Sequence, residues 1–300
     1  MKYFKDFDIQ KKVLSQFRIA LENNKIAHSY LFYGSEGSAK EAIALEFAKL
    51  LNCADNEVRP CNKCPACLKI NKLNHPDIQF VFPISSKWKI EDIKKRIVEK
   101  ANNHYAAIDQ SGITNIPVSK IRELKNESKY PPYESKQKVI IICNAEKMNR
   151  ESANSFLKVL EEPLSYLTII LISSSKNSLL DTIRSRCRLI HFPSLSDEEV
   201  ASVVKNFHPI DDKINKLIRY SRGNLKAFFG SFDEDFTEKQ EHVLTFLRAA
   251  ASGSAKKISD SVDAIYRRRD KNYLIEIINL LSLWFQDALH IINFGKEAQI

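Results

Sequence analysis

The sequence predicts an α/β core built on a mainly parallel sheet with helices on both faces, followed by a wholly helical C-terminal part. Three observations predict it. Short apolar runs at 29–33, 138–143 and 167–172 alternate with stretches of helical periodicity, which is the pattern of crossover units and not of hairpins. A glycine-containing turn joins the first run directly to a helix. After Pro193 the strand-like runs stop and only helical spacing remains.

Each element follows in order. Residues 7–23 place Val13, Phe17, Ala20 and Leu21 on one helical face. Run 29–33 is a buried strand that feeds the turn at 34–41 and a helix through Leu51. Residues 77–83 read as a second strand. Residues 84–115 are polar and read as an insertion with one helix at 91–102. Pro117-Val118-Ser119 opens a helix to about Tyr130. Run 138–143 is a central apolar strand, 151–162 an amphipathic helix stopped by Pro163, and 167–172 another buried strand. Ser196 and Glu199 have the spacing of a capping box, in which each side chain satisfies the other's backbone N–H. Helical stretches at 211–221 and 225–229 follow. From about Thr237 there are two or three longer helices. The last, 273–293, is rich in Leu and Ile and carries Trp284, so its apolar surface needs a cover.

Three hundred residues suit two or three domains. Hydrophobic residues at 44% and charged residues at 28% place the chain among soluble globular proteins and away from disordered ones. No uninterrupted apolar run reaches the roughly 20 residues that span a bilayer, and residues 1–6 lack the apolar core of a signal peptide. No membrane partner and a cytoplasmic location are therefore expected, with reduced thiols. The net charge of +9 permits contact with nucleic acid without demanding it, because the basic clusters at 94–96 and 267–269 are short.

The turn at 34–41 reads Gly34-Ser35-Glu36-Gly37-Ser38-Ala39-Lys40-Glu41. A working phosphate loop has glycine before its lysine, so that backbone N–H groups can close on phosphate oxygens, and a hydroxyl after it to ligate Mg²⁺. Here Ala39 and Glu41 fill those two places. Gly34, Gly37 and Lys40 are thus the candidate nucleotide-binding residues of a degenerate loop, with Glu41 set to repel a triphosphate. Strand 138–143 ends in Asn144-Ala145, where a metal-holding acid and a water-polarising glutamate would be needed; Glu146 comes one place late.

Cys53, Cys61, Cys64 and Cys67 have the spacing C-x7-C-x2-C-x2-C, with Pro60 and Pro65 stiffening the turns. Four thiolates close a tetrahedron around Zn²⁺ and leave no open position, so a structural zinc knuckle is expected. Ser185-Arg186-Cys187 follows a short helical stretch. Arg186 is suited to stabilising charge on a γ-phosphate across a subunit boundary; read alone, without the resemblance, an arginine paired with a surface carboxylate is the favoured reading.

These features, with His75-Pro76-Asp77, Asn154-Ser155-Phe156-Leu157-Lys158-Val159-Leu160-Glu161-Glu162-Pro163 and Ile183-Arg184-Ser185-Arg186-Cys187, make the chain resemble the delta-prime subunits of bacterial DNA polymerase III clamp loaders, within the AAA+ family. The resemblance is good to about residue 230. It implies an α/β AAA+ core with a zinc knuckle at 1–192, a helical lid at 193–233 and a helical collar at 234–300, the last short or incomplete. It implies a subunit that does not itself hydrolyse ATP and helps place the sliding clamp on primed DNA beside gamma or tau and delta subunits. Arg186 then becomes the catalytic group, acting in trans on a neighbour's ATP. Gly223-Asn224-Leu225-Lys226 resembles the sensor motif of the lid, with Lys226 where motor subunits have Arg. The alternative expectation is an ATP-hydrolysing subunit of the gamma or tau type.

Overall fold

The computed structural model describes residues 2–5, 7–108, 113–162, 164–231 and 234–295. The chain divides into two compact units, Met1–Ile210 with Arg222–Ala227, and Asp211–Ser221 with Phe228–Ile300.

The first unit contains β1 (Lys2–Tyr3), α1 (Lys11–Glu22), β2 (Ser29–Gly34), α2 (Lys40–Asn52), β3 (Val58–Arg59), α3 (Pro65–Asn71) and β4 (Ile78–Val81). It continues with α4 (Ile90–Asn102), α5 (Val118–Ser128), β5 (Lys138–Ile142), α6 (Arg150–Glu161), β6 (Leu167–Ser173), α7 (Asp181–Arg184), β7 (Arg188–Phe192) and α8 (Asp197–Val204). Pro163, expected to stop α6, lies outside the described residues.

The main sheet has the order β4-β5-β6-β2-β7, and every pairing is parallel. Its inner strands are nearly continuous apolar runs because both faces are covered, β-branched in β5 and β6 and aromatic in β2: all seven residues of β6 are buried. This is the α/β architecture the sequence predicts. One strand of this sheet was not anticipated. β7, Arg188-Leu189-Ile190-His191-Phe192, buries only Ile190 and Phe192, so it carries an edge strand's alternation and not a core strand's continuous run.

Packing beneath the turn at 34–41 is aromatic. Phe17 of α1 stacks on Phe47 of α2 with centroids 4.4 Å apart, and Tyr30, Phe32 and Phe192 complete the cluster. It fixes β2 and α2 at a constant angle, so the turn between them starts from rigid ends. The chain start is tied down separately, because β1 pairs with β3 in the cysteine region. Gln10 accompanies it: its side-chain amide donates to Pro193 O at 2.7 Å, and its N–H to Glu199 of the capping box at 2.7 Å.

The second unit is helical: α9 (Asp212–Ser221), α11 (Glu234–Ala251), α12 (Ala255–Tyr266) and α13 (Lys271–Phe294), with α10 (Leu225–Gly230) beginning in the first unit. Lys239 of α11 pairs with Glu276 of α13, and His242 Nδ1 lies 2.8 Å from Tyr273 Oη. Trp284, Phe285, Leu289 and Ile292 of α13 are exposed. By length and composition, Tyr273–Asn293 is long and apolar enough to cross a membrane. The sequence still holds no uninterrupted apolar run of that length, because polar residues such as Glu276 and Asn279 interrupt it. Such a stretch is weak evidence by itself, since apolar helices of soluble bundles meet the same criterion.

Candidate functional site

The carboxyl ends of β2, β5 and β6 meet in a crevice, the usual place for a ligand in an open parallel sheet. It forms a cavity of about 140 Å³ lined by Glu36, Gly37, Lys40, Glu41, Asn144, Glu146, Ser173 and Lys226, with His104 and Tyr105 arriving from the turn after α4.

The two candidate glycines are required by close packing. A Cβ on Gly34 would lie 1.9 Å from Phe192 O, and one on Gly37 would lie 1.7 Å from Asn224 Oδ1; both have positive φ. Leu225 N–H donates to Gly37 O at 3.0 Å, so residues 223–225 sit directly on the turn. Ala39, in the place of the third glycine, is held at φ 65°, a left-handed conformation that costs a residue with a Cβ about 1–2 kcal/mol.

Lys40 is turned inward. Its ammonium donates to Gly34 O at 2.7 Å, Ser35 O at 2.5 Å and Ser38 Oγ at 3.3 Å, so all three donors are used within the turn that would bind phosphate. Burial, together with the nearby Lys226 charge, takes its pKa down to about 8.

Glu41 does not present a bare charge. Lys226 Nζ lies 2.9 Å from Glu41 Oε1, and Lys100 of α4 pairs with Oε2. Burial alone would raise this carboxyl; the two ammonium groups overcome it and hold its pKa near about 2. Burial likewise works against the charge on Lys226, and the carboxylates of Glu41 and Glu36 outweigh it and push its pKa up. Repulsion of a triphosphate is therefore not the whole effect of Glu41. The cations that phosphate would meet are already taken.

Sequence reasoning missed the lining residues His104 and Glu146, and Lys100 behind them. Lys100 and His104 come from the insertion, where a lysine in a polar helix gives no sign of burial. Glu146, one place late in the sequence for a water-polarising glutamate, was set aside. Instead Asn144 adopts φ 48°, and a 3-10 turn at Ala145–Lys147 brings Glu146 to the crevice wall. Burial lowers the His104 imidazole to about 4.

The four cysteines are brought together: their sulfurs all lie within 4.8 Å of one another. Tetrahedral Zn–S bonds of about 2.3 Å require sulfur separations of about 3.8 Å, so the set fits a Cys₄ metal site. Cys61 N–H points to Cys53 Sγ at 3.4 Å and Cys64 N–H to Cys61 Sγ at 3.3 Å, so backbone groups of the loop orient the sulfurs. The centre is anchored to α2 through Lys49, which pairs with Glu46 at 2.5 Å and donates to Asn62 Oδ1 at 2.7 Å. His75 and Asp77 are structural. The Asp77 carboxylate accepts N–H bonds from Tyr133, Glu134 and Ser135 at 2.6–3.0 Å, and His75 Nδ1 accepts from Asp77 N–H at 3.1 Å.

Arg186 follows α7 on the surface. Its guanidinium pairs with Glu161 of α6 at 2.9 Å and donates to Thr182 O at 2.8 Å, while its own carbonyl accepts from Ser29 Oγ of β2 at 2.6 Å. It is thus held in place and half exposed. It takes no part in the crevice of its own chain.

Residues 9–196 match the family model described as DNA polymerase III, delta subunit. A DNA polymerase III subunit delta' from Bacillus subtilis is 31% identical over 238 residues, 79% of this chain and 64% of the relative. A DNA polymerase III subunit tau/gamma from Haemophilus influenzae is 26% identical, over 93% of this chain and 36% of its own length. The matched part is thus under two thirds of either relative. Among solved structures, a DNA polymerase III gamma-subunit-related protein from Thermotoga maritima aligns with 90% of this chain and 82% of its own at 17% identity, with a TM-score of 0.45. The family model covers well over half of the chain, and the chain belongs to the DNA polymerase III delta-subunit family.

Proposed function

We propose that this chain is a non-catalytic, delta-prime-type subunit of a DNA polymerase III clamp loader, acting in the loading of a sliding clamp onto primed DNA. The observation that carries the reading is the closed loop: Lys40 is spent on its own turn, and Glu41 is paired with Lys100 and Lys226. A chain arranged in this way lacks a free phosphate cradle, and Asn144 supplies no charge to hold a metal opposite it.

Arg186 is the group it offers instead. Its place on the surface, steadied by Glu161 and Ser29, suits a guanidinium that reaches a γ-phosphate held by a neighbouring gamma or tau subunit. Such arginines contribute on the order of 10³–10⁵ in rate. Gamma or tau and delta subunits are the partners of this reading, and the exposed apolar side of α13 belongs to the collar through which they would assemble. The division at 192 and 233 into core, lid and collar, and a cytoplasmic location, belong to the same reading. Cys53, Cys61, Cys64 and Cys67 hold structural Zn²⁺, which steadies 53–67 and α2 and takes no part in phosphate chemistry.

The test is Arg186→Ala in a reconstituted loader. The variant should assemble normally and lower DNA-stimulated ATP turnover by at least ~10²-fold at sites that face this chain. Normal turnover in an assembled complex would refute the role given to Arg186. The tau/gamma similarity over 93% of the chain favours the second reading, an ATP-hydrolysing subunit, which requires Mg²⁺-dependent turnover by this chain itself.

A further inference from the structure

We propose that Glu41, Lys100 and Lys226 form a built-in substitute for a metal–nucleotide complex. In this role the cluster fastens α4 and residues 222–227 onto the phosphate loop with no ligand present. The inference rests on the non-catalytic reading and adds a mechanism to it.

The argument begins with position. Glu41 stands where a phosphate loop has the hydroxyl that brings in a divalent cation. An anionic side chain there demands cations, and the two it receives come from separate segments. Lys100 is supplied by the insertion helix, and Lys226 by the stretch that resembles a lid sensor. The positive charge that a metal would bring is thus delivered by side chains, and the bridge that a phosphate would make to Lys226 is made by a carboxylate.

Burial makes the cluster obligatory. The side chains of Lys100 and Glu41 are 1% and 8% exposed, and that of Lys226 is 19% exposed. None of these charges is stable there without the others, since a buried ion stripped of its partner bears an uncompensated desolvation cost. Neighbouring contacts reinforce both attachments. Lys100 Nζ also donates to Ala106 O at 2.7 Å, and His104 Nε2 lies 2.9 Å from Asn71 O, so the turn after α4 is fixed at the mouth of the crevice. On the other side, Lys226 reaches Glu36 at 3.7 Å, and the Gly37–Asn224 contact leaves no room for even a Cβ. Both segments are ordered by the chain's own lysines, so the insertion at 84–115 acquires a role: it carries the counter-ion.

Hydrogen exchange on the full chain tests this, with and without millimolar Mg·ATP. In the wild type, amides of 90–102 and 222–227 should be protected, and Mg·ATP should change neither segment. Glu41→Gln, and separately Lys226→Met, should speed exchange in both segments by roughly ten-fold or more, because the first leaves both lysines without their anion and the second removes one of the two cations that hold Glu41. Lys226→Arg should retain most of the protection. Circular dichroism establishes that each variant is folded. Should Glu41→Gln not fold, Lys226→Met decides, since Lys226 lies at the partly exposed edge of the cluster. Wild-type protection in the folded variants overturns the proposal while leaving the non-catalytic reading intact. Protection gained at 34–41 on adding Mg·ATP to the wild type overturns both.

Discussion

Replacing Lys100 by Met removes one charge and keeps a side chain of similar length. In the folded chain the Lys100 ammonium is buried against the Glu41 carboxylate and also donates to Ala106 O. Removing one partner of a buried ion pair costs about 3–5 kcal/mol, chiefly because the survivor stays buried and unmatched. Lys226 remains on the other carboxylate oxygen, so the lower end, about 3 kcal/mol, is expected at pH 7. In a Glu41→Gln background the same change should cost only about 1 kcal/mol, which gives a coupling of roughly 2 kcal/mol in the double-mutant cycle. The pH dependence has a definite sign. Glu41 has a folded pKa near about 2, below its unfolded value, so its contribution is complete above the unfolded pKa and is lost as pH falls towards 2. The Lys100→Met deficit should therefore shrink over that window. Urea unfolding followed by Trp88 fluorescence, with Trp284 replaced by Phe, reads the unit that holds the cluster. A deficit below about 1 kcal/mol, or simple additivity with Glu41→Gln, would refute the reasoning.

Other expectations follow from the same contacts. His104, lowered by burial to about 4, binds fewer protons folded than unfolded between pH 4 and 6.5, so stability rises with pH there and is lost on acidification, by up to roughly 3 kcal/mol. A urea midpoint that stays flat across that window, once compared with His104→Gln, would contradict this. Chelation at neutral pH should lower the thermal midpoint and deprotect 53–67, and Cys61→Ser should do the same without chelator; an unchanged melting curve would count against a metal centre. Glu161→Gln should leave the fold intact and slow turnover of an assembled loader less than Arg186→Ala does, because it loosens the guanidinium without removing it. Phe17→Ala should cost about 3–5 kcal/mol, since the ring is fully buried between Tyr30, Phe32 and Phe47.

How much of this was legible in the sequence depends on whether a feature is local. The strands at 138–142 and 167–173 announced themselves, because burial on both faces demands a nearly continuous apolar run. The Ser196–Glu199 cap and the cysteine spacing are also short-range geometry, and both formed as expected. β7 escaped because an edge strand needs only two inward residues in five. The degenerate loop was readable, but its consequence was not. Spacing reveals that Glu41 replaces a hydroxyl; it cannot reveal that Lys100, 59 positions later, will neutralise it. A carboxylate in a phosphate cradle was itself the only hint that a cation must arrive from elsewhere. Glu146 was misjudged because the direction of a side chain after a strand depends on the next φ, and Asn144 turns left-handed. Arg186 could be read from sequence either as a finger or as the partner of a surface carboxylate, and its hold on Glu161 depends on α6 and α7 packing side by side.

The central claim is that this chain's own loop is closed by its own side chains. Equilibrium binding of a fluorescent ATP analogue to the purified wild-type chain, with Mg²⁺ present and phosphate release followed in the same sample, tests it most directly. Neither saturable binding at micromolar nucleotide nor turnover is expected. Tight Mg²⁺-dependent binding that is abolished by Lys40→Ala and accompanied by hydrolysis would contradict it.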